Sequence, residues 1–444
     1  MALVFGPSAD RRKGSSIQGA PRRTPASKRL RLLGRTRVVR IGKSRWTTSS
    51  FLLLGVAILL TIVGLTFVAS ASSVTSLHAN GSSWTVFNRQ LFFVVCGLVA
   101  LAVSSVVPYR VWWGLGPFVF AAAALASTFA AFAGVEKNGS RRWIGFGSVL
   151  VQPSEFLKLG AVLMFAMVFT HKNTVRVMHS KRFMWRTLLP TCLLAAGPVM
   201  LQPDLGTAAV IIFSFAAIVV VGGFPVHRLV PVLLGGLTAL SIWAMSAQYR
   251  RDRVTTFFNP EHDPTGLGWH VTQSKLGFAT GKLFGIGIGA SRSKWGWVPN
   301  AHTDFVFAII GEEVGFVGAT LVLCLFAAIA VVGFSIVNNA RDRFGSLVAA
   351  GVTTWILSQA VFNMGTVLGT VPVTGVPMPF VSSGGSSFVV LGVAFGILVN
   401  ISRYSIVPGS IEPRHNAGRT PGARGTRAQR VVRERPNSSS KSVR

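Results

Sequence analysis

The chain has 444 residues, half of them apolar and only 13% charged, with a mean hydropathy of +0.53. That composition excludes an ordinary soluble globular domain and indicates an integral membrane protein with room for about ten helical spans of roughly 20 residues each. The apolar runs are continuous rather than alternating, which excludes a transmembrane β-barrel.

The net charge of +31 would suggest a nucleic-acid partner if it were spread over a folded domain, but it is concentrated at the two ends. Residues 1–49 hold 13 Lys and Arg against Asp10, and residues 401–444 hold 10 against Glu412 and Glu434. Both ends are rich in Pro, Gly, Ser and Arg and lack apolar periodicity, so disordered basic tails are expected over 1–49 and 404–444, flanking a membrane domain over 50–403. Such tails suit anionic membrane lipids, and no nucleic-acid partner is expected. Cys96, Cys192 and Cys324 lie in apolar runs without partners at metal-ligand spacing, which points to packing. The first apolar run is too long for a cleaved signal and reads as the first span.

The expected spans in chain order are 50–71, 90–107, 111–132, 154–170, 187–201, 204–223, 229–247, 316–334, 347–364 and 386–401. Ten spans put both termini on one side. Placing them in the cytoplasm gives 32 basic residues there against 11 outside, as the positive-inside rule favours. The fold expected is therefore all-α and polytopic, with a large extracytoplasmic loop over 248–315 between the seventh and eighth spans. Two shorter outer segments also stand out: Pro372 to Ser387, dense in Pro, Gly and Ser, and Glu136 to Gln152, which carries Arg141, Arg142 and Trp143. Irregular backbone at membrane depth is tolerated only where protein buries it or it lines a cavity.

Charged groups at membrane depth are expensive and single out Glu155, Lys158 and Asp204. Glu155 and Lys158 share a helix face, either as a structural pair or facing a hydrophilic cavity. Asp204 follows Gln202 and Pro203 at the start of a span, where it either caps the helix or serves that cavity. In the large loop, Pro299, Asn300, Ala301, His302, Thr303 and Asp304 form a polar mouth before an apolar run interrupted by Glu312 and Glu313. From Asp304 to Phe334 a single helix would measure about 46 Å, more than the ~30 Å hydrocarbon core, so its first turns should project or break away. Asp304 is then a helix cap or a general base. Lys275, Lys282, Arg292 and Lys294 would meet an anionic substrate or line a solvated loop face. Gly285, Gly287 and Gly289 imitate part of a dinucleotide fingerprint without the βαβ unit that would support it. His262, His270 and His302 are too irregularly spaced to favour a metal site, and the sequons at Asn80 and Asn138 are weak signals.

Several segments together resemble the SEDS family of bacterial cell-wall glycosyltransferases. They are Ser70-Ala71-Ser72, Arg142-Trp143-Ile144, Gln152-Pro153-Ser154-Glu155 with Lys158, Gln202-Pro203-Asp204-Leu205-Gly206-Thr207, His302-Thr303-Asp304-Phe305, Gly311-Glu312-Glu313, and Pro372 to Gly375 with Pro379 to Ser387. In order, they cover nearly all of residues 50–403. The resemblance implies a ten-span polymerase of the bacterial cytoplasmic membrane that extends glycan strands from lipid II, with Asp304 as the essential carboxylate. Substrate contacts are expected at Arg142, Trp143, Glu155, Lys158, Gln202, Asp204, Lys275, Lys294, Ser382 and Ser386. Family members usually carry Glu where this sequence has Asn300. The basic tails and the Ser70 to Ser73 run look most like the division-type members, actinobacterial ones especially. That subtype implies location at the septum, a class B penicillin-binding transpeptidase as partner, and contacts with other divisome membrane proteins.

The chemistry suits these residues: sugar transfer needs a base for the acceptor hydroxyl and cations for a diphosphate leaving group. Asp304 is the expected base, and Arg142 and Lys158, then Lys275 or Lys294, are the expected diphosphate contacts. A lone outer carboxylate argues against glycoside hydrolysis, which uses two, although Glu312 or Glu313 could be brought near by folding. A divalent cation (Mg or Mn) on the diphosphate is compatible with this chemistry; no other cofactor is expected. Rival readings are a lipid II flippase, a scaffold that recruits the transpeptidase, and an elongation-type member of the same family.

Overall fold

The computed structural model of the protein describes residues 46–137, 140–147, 149–171, 174, 180, 183–245, 248–259, 266–295 and 302–405. Most of the two tails, the sequon Asn138, and His262, Pro299, Asn300 and Ala301 lie outside the described residues.

Helices dominate. In chain order they are α1 (Thr48–Asn80), α2 (Thr85–Val106), α3 (Val111–Ala133), α4 (Pro153–Thr170), α5 (Leu189–Leu201, preceded by a π-helical turn Met184–Leu188), α6 (Leu205–Val221) and α7 (Val226–Met245). Then come α8 (Gln248–Phe258), α9 (Leu267–Gly281), a 3-10 turn Ser293–Trp295, α10 (Val306–Glu313), α11 (Gly315–Asn339), α12 (Arg343–Leu368) and α13 (Gly385–Arg403). Seven of them, α1 to α4 and α11 to α13, are long and apolar enough to cross a membrane, which makes this a multi-pass membrane protein. The other three expected spans appear as shorter apolar helices over Trp185–Leu201, Leu205–Val221 and Val226–Gly236. Two of these regions carry prolines, at Pro190, Pro198 and Pro231, and proline removes a helical hydrogen bond and crowds the preceding turn.

Burial sorts the long helices into layers. In α4, α12 and α13, 72%, 72% and 78% of the apolar window is buried, against 22–39% in α1, α2, α3 and α11, so the first three form the centre. On α2, Val94 and Leu101 face inward while Phe92, Val95, Val99 and Val103 are exposed, as expected of a lipid-facing helix. Lipid tails are as apolar as leucine, so close backbone approach replaces the hydrophobic effect as the packing force. At Gly392 of α13 a Cβ would fall 2.2 Å from the Gly97 carbonyl oxygen of α2, and at Gly64 of α1 it would fall 2.6 Å from the Phe380 carbonyl oxygen. Thus small residues seat both α13 and the Pro/Gly/Ser segment against the outer helices.

Two features depart from the expected pattern of helices joined by loops. The segment after α3 is a three-stranded antiparallel sheet of β1 (Val135–Lys137), β2 (Ser140–Phe146) and β3 (Val149–Val151). Lys137 pairs with Ser140, leaving Asn138 and Gly139 between them, the dipeptide that two-residue hairpins favour. The second feature is the stretch 248–315, which is not a plain loop but contains α8, α9, the 3-10 turn and α10.

The long helix expected from Asp304 onward does break. It ends at Glu313 and restarts at Gly315, whose φ of +72° lies in the left-handed region that favours glycine. A break leaves unpaired amides and carbonyls, and the Gly-rich loop after α9 satisfies them. Phe316 and Val317 donate to the Lys282 and Leu283 carbonyls (2.9 and 3.1 Å), while Ile286 and Gly287 donate to the Glu312 and Glu313 carbonyls (both 3.1 Å). At Gly285 a Cβ would sit 2.1 Å from the Glu313 carbonyl oxygen. Of the glycines that imitate a nucleotide fingerprint, Gly285 therefore serves this close backbone approach, while Gly287 and Gly289 share its positive φ with no close neighbour around them.

Candidate functional site

Asp304 lies in a turn just before α10. The N-cap position of α10 belongs to Phe305, which makes no side-chain cap bond, and Asp304 stands one residue further out. Its Oδ2 would be 3.9 Å from a Cβ built at Gly375, so the carboxylate lies over the backbone of the Pro/Gly/Ser segment. Two hydrogen bonds to main-chain carbonyls fix the turn. Asn363 of α12 donates through Nδ2 to the Asp304 carbonyl (2.9 Å), and the Ser383 amide donates to the His302 carbonyl (2.9 Å). The Ser383 hydroxyl in turn meets Gln90 Oε1 of α2 at 3.2 Å.

The neighbouring motifs join this turn through α6. At Gly206 a Cβ would lie 2.3 Å from Val376 Cγ2 and 3.0 Å from Thr374, which places the start of α6 against the Pro/Gly/Ser segment. Asp204 caps α6, accepting from the Thr207 amide (3.1 Å) and hydroxyl (2.9 Å). Arg142, on β2, pairs with Asp204 (3.5 Å) and donates to the Gln202 and Pro203 carbonyls (3.2 and 2.7 Å). Gln202 Nε2 donates to the Ser127 carbonyl of α3 (2.6 Å). Arg142, Gln202 and Asp204 are all buried, so the turn before α6 is locked by their mutual contacts. Trp143 is half-buried and pairs in register with Val135.

Glu155 and Lys158 pair with each other at 2.8 Å, both side chains 2% exposed, with Lys158 Nζ 5.2 Å from the centroid of the buried Trp355 ring. This is the geometry of the structural alternative. Ser386 accepts from the Gln152 amide (3.2 Å), and Ser382 accepts from the Met378 amide (3.0 Å). Lys275, on α9, is exposed beside Gly369 at the end of α12, the end nearest Asn363. Lys294 instead bonds the Gly289 carbonyl in its own loop.

Glu312 and Glu313 are buried and held by loop and helix donors. Glu312 accepts from the Ser291 hydroxyl (2.6 Å) and the Arg292 amide (2.9 Å), and Glu313 accepts from the Ser70 hydroxyl (2.6 Å) and the Ser291 amide (3.3 Å). They anchor the Gly-rich loop to α1. His270 stacks on Phe305 at 5.9 Å. Among the described residues no three His, Cys, Asp or Glu side chains gather to hold a metal ion.

Sequence reasoning missed Gln359 and Asn363. Uncharged amides inside an apolar run, four residues apart and so on one helix face, are the signal that a search for charges alone passes over.

The fold and this convergence of motif segments define a polytopic membrane protein with a polar centre at one end of its helical bundle. The FtsW/RodA/SpoVE family model, described as cell cycle protein, matches residues 50–406, and the chain belongs to that family. It is 37% identical to stage V sporulation protein E of Bacillus subtilis over 81% of this chain and 98% of that protein. It is 36% identical to the probable peptidoglycan glycosyltransferase FtsW of Mycobacterium tuberculosis, over 80% of this chain and 68% of that one. Among solved structures it resembles a chain from work on the coordination of polymerization and crosslinking by a peptidoglycan synthase complex (TM-score 0.65, 28% identity, 79% and 96% of the two chains). It also resembles the rod shape determining protein RodA of Thermus thermophilus (TM-score 0.59, 26% identity, 80% and 97%).

Proposed function

We propose that this chain is a peptidoglycan glycosyltransferase that builds septal glycan strands. The observation that carries the reading is the family match over residues 50–406 to relatives named as such transferases, with the Asp304 carboxylate lying against the Gly375 backbone of the Pro/Gly/Ser segment. The donor is lipid II, an undecaprenyl-diphosphate disaccharide-pentapeptide. The acceptor hydroxyl oxygen attacks the donor's anomeric carbon, the bond to the diphosphate breaks, and the hydroxyl proton passes to Asp304 as general base. The lipid diphosphate leaves with the bonding electrons, and a cation must meet that charge. Lys275 suits this role because it is exposed at the same end of α12 as Asn363; Lys294 is turned to its own loop. Arg142 and Lys158 are engaged by Asp204 and Glu155, so they act by holding the walls of the site. A divalent cation on the diphosphate would be compatible with this scheme and would help neutralise the leaving group.

The topology that goes with this reading has ten spans, the three short apolar helices included, with both tails in the cytoplasm and the 248–315 stretch outside. A membrane-anchored class B penicillin-binding transpeptidase is the partner proposed, with other divisome membrane proteins, and the basic tails meet anionic lipid. Support for a crosslinking partner comes from the resemblance to a chain of a synthase complex. Glu312 and Glu313 are tied to the Ser291 and Ser70 hydroxyls, which speaks against either of them serving as the second carboxylate that hydrolysis needs. The test is purified protein, with and without that transpeptidase, incubated with lipid II. Glycan polymer is the expected product; transport of lipid II without polymer would establish the flippase instead.

A further inference from the structure

The buried face of α12 carries a line of polar side chains in an otherwise apolar helix. Trp355, Gln359, Asn363 and Thr366 are spaced four, four and three residues apart and so share one face, and all are at most 2% exposed. Lys158 sits over the Trp355 ring, and the Trp355 indole donates to Gln359 Oε1. One helical turn further on, Asn363 reaches the Asp304 turn.

Asn363 uses one amide group for two chain segments. Its Nδ2 donates to the Asp304 carbonyl and to the Val376 carbonyl, both at 2.9 Å. Val376 follows Gly375, the residue over which the Asp304 carboxylate lies. The two hydrogens therefore staple together the segments that bracket the carboxylate. The rest of the amide gains little, since Asn363 Oδ1 is buried without a hydrogen-bond partner among the described residues. Burying an unpaired carbonyl oxygen costs free energy that an apolar side chain would avoid.

We infer that Asn363 is a positioning residue for Asp304: its amide sets the distance between the carboxylate and the Gly375 backbone, and so the geometry in which the base meets the acceptor hydroxyl. This rests on the proposed role of Asp304. Asn363 is buried and acts through main-chain carbonyls, so it should leave substrate affinity nearly untouched while governing turnover. A misplacement of about 1 Å can cost on the order of 100-fold in rate.

The experiment is glycan polymerisation from lipid II by the full-length protein with its transpeptidase, comparing wild type, Asn363→Ala, Asn363→Asp and Asp304→Asn. Asn363→Ala removes both donors. Asn363→Asp keeps the shape but, protonated in its buried setting, donates at most one hydrogen bond. The expected order of kcat is wild type, then Asp, then Ala, with Ala down by about 10- to 100-fold and KM within about threefold of wild type. Co-purification with the transpeptidase and the melting temperature in detergent report folding. Wild-type kcat in a folded Asn363→Ala or Asn363→Asp protein, or a change confined to KM, overturns the inference. Failure of both variants to fold overturns it too, since the residue is then needed for the fold rather than for placement. The Asp304→Asn arm separates the two claims: activity there defeats the general-base reading, whereas an inactive Asp304→Asn beside fully active Asn363 variants defeats the positioning role alone.

Discussion

At the end of the bundle that carries Asp342, polar side chains are spent on helix termini, whereas at the end that carries Asp304 they leave a carboxylate in a turn outside any helix. Asp342 caps α12 through the Gly345 amide (2.8 Å), accepts from the Tyr109 hydroxyl (2.6 Å) and pairs with Arg110 (3.3 Å). Arg343 donates to the Phe169 carbonyl (3.1 Å) near the end of α4 and to the Gly222 carbonyl after α6. Arg403 and Asn400 both donate to the Ser105 carbonyl near the end of α2 (2.8 and 2.6 Å). Cations and amides at helix C-termini complete orphan carbonyls and meet the negative end of the dipole. At the other end Asp204 is a cap of the same kind, but the N-cap position of α10 is held by Phe305, which makes no side-chain cap bond, and Asp304 is only half-buried. The contrast teaches that a carboxylate near a helix start is a cap only when it occupies the N-cap position. Asp204 and Asp342 do; Asp304 does not.

Substitutions can break this comparison. The largest effect on stability is expected inside the bundle, where replacing Lys158 by Met leaves Glu155 buried without its cation. Removing one partner of a buried pair costs about 3–5 kcal/mol. The double change Glu155→Gln with Lys158→Met should recover most of that loss, as read by resistance to denaturation in detergent. A single variant as stable as wild type would show that the pair does not hold α4. A smaller effect is expected for Asp342→Ala, which loses an N-cap worth about 1 kcal/mol and strips Tyr109 of its acceptor, while turnover per folded molecule stays at the wild-type value. Burial first, then the bond to Asp342, pushes the Tyr109 phenol well above its usual range. A pKa raised on folding stabilises the protonated form, so this contribution is complete below the unfolded tyrosine pKa and is lost as pH rises through the higher folded value. In alkaline titration followed by phenolate absorbance, one tyrosine should ionise late in wild type and earlier in Asp342→Ala; identical titrations would remove Asp342 from that network.

Much of this architecture was legible in the sequence because membrane helices announce themselves by apolar length. The starts and ends of α3, α4 and α6 fall within two residues of the hydropathy reading. The break near Asp304 was likewise foreseeable, since 31 residues exceed the bilayer. What the sequence hid was local or long-range pairing. The β1–β2 pairing is short and flanked by charges at Arg141 and Arg142, so it lacks the apolar alternation by which a strand declares itself, although Asn-Gly at 138–139 is a sequence signal for a hairpin. The anchoring of Glu312 and Glu313 depends on Ser291 and Ser70, about 20 and 240 residues away in the chain, and no spacing rule reveals it. Asn363 is uncharged and sits within an apolar run, so its meeting with Asp304, 59 residues distant, appears only in the folded protein.

The proposed general-base role of Asp304 and a helix-capping role part company on a single substitution. Asn keeps the shape and an oxygen able to cap, but it cannot accept the acceptor's proton at working pH. The most direct test measures glycan polymer from one lipid II preparation by wild-type and Asp304→Asn proteins, each verified to be folded by co-purification with the transpeptidase. Losing general-base assistance should lower the rate by roughly 100- to 10,000-fold, with the complex intact. Comparable polymer from the two proteins would contradict the account.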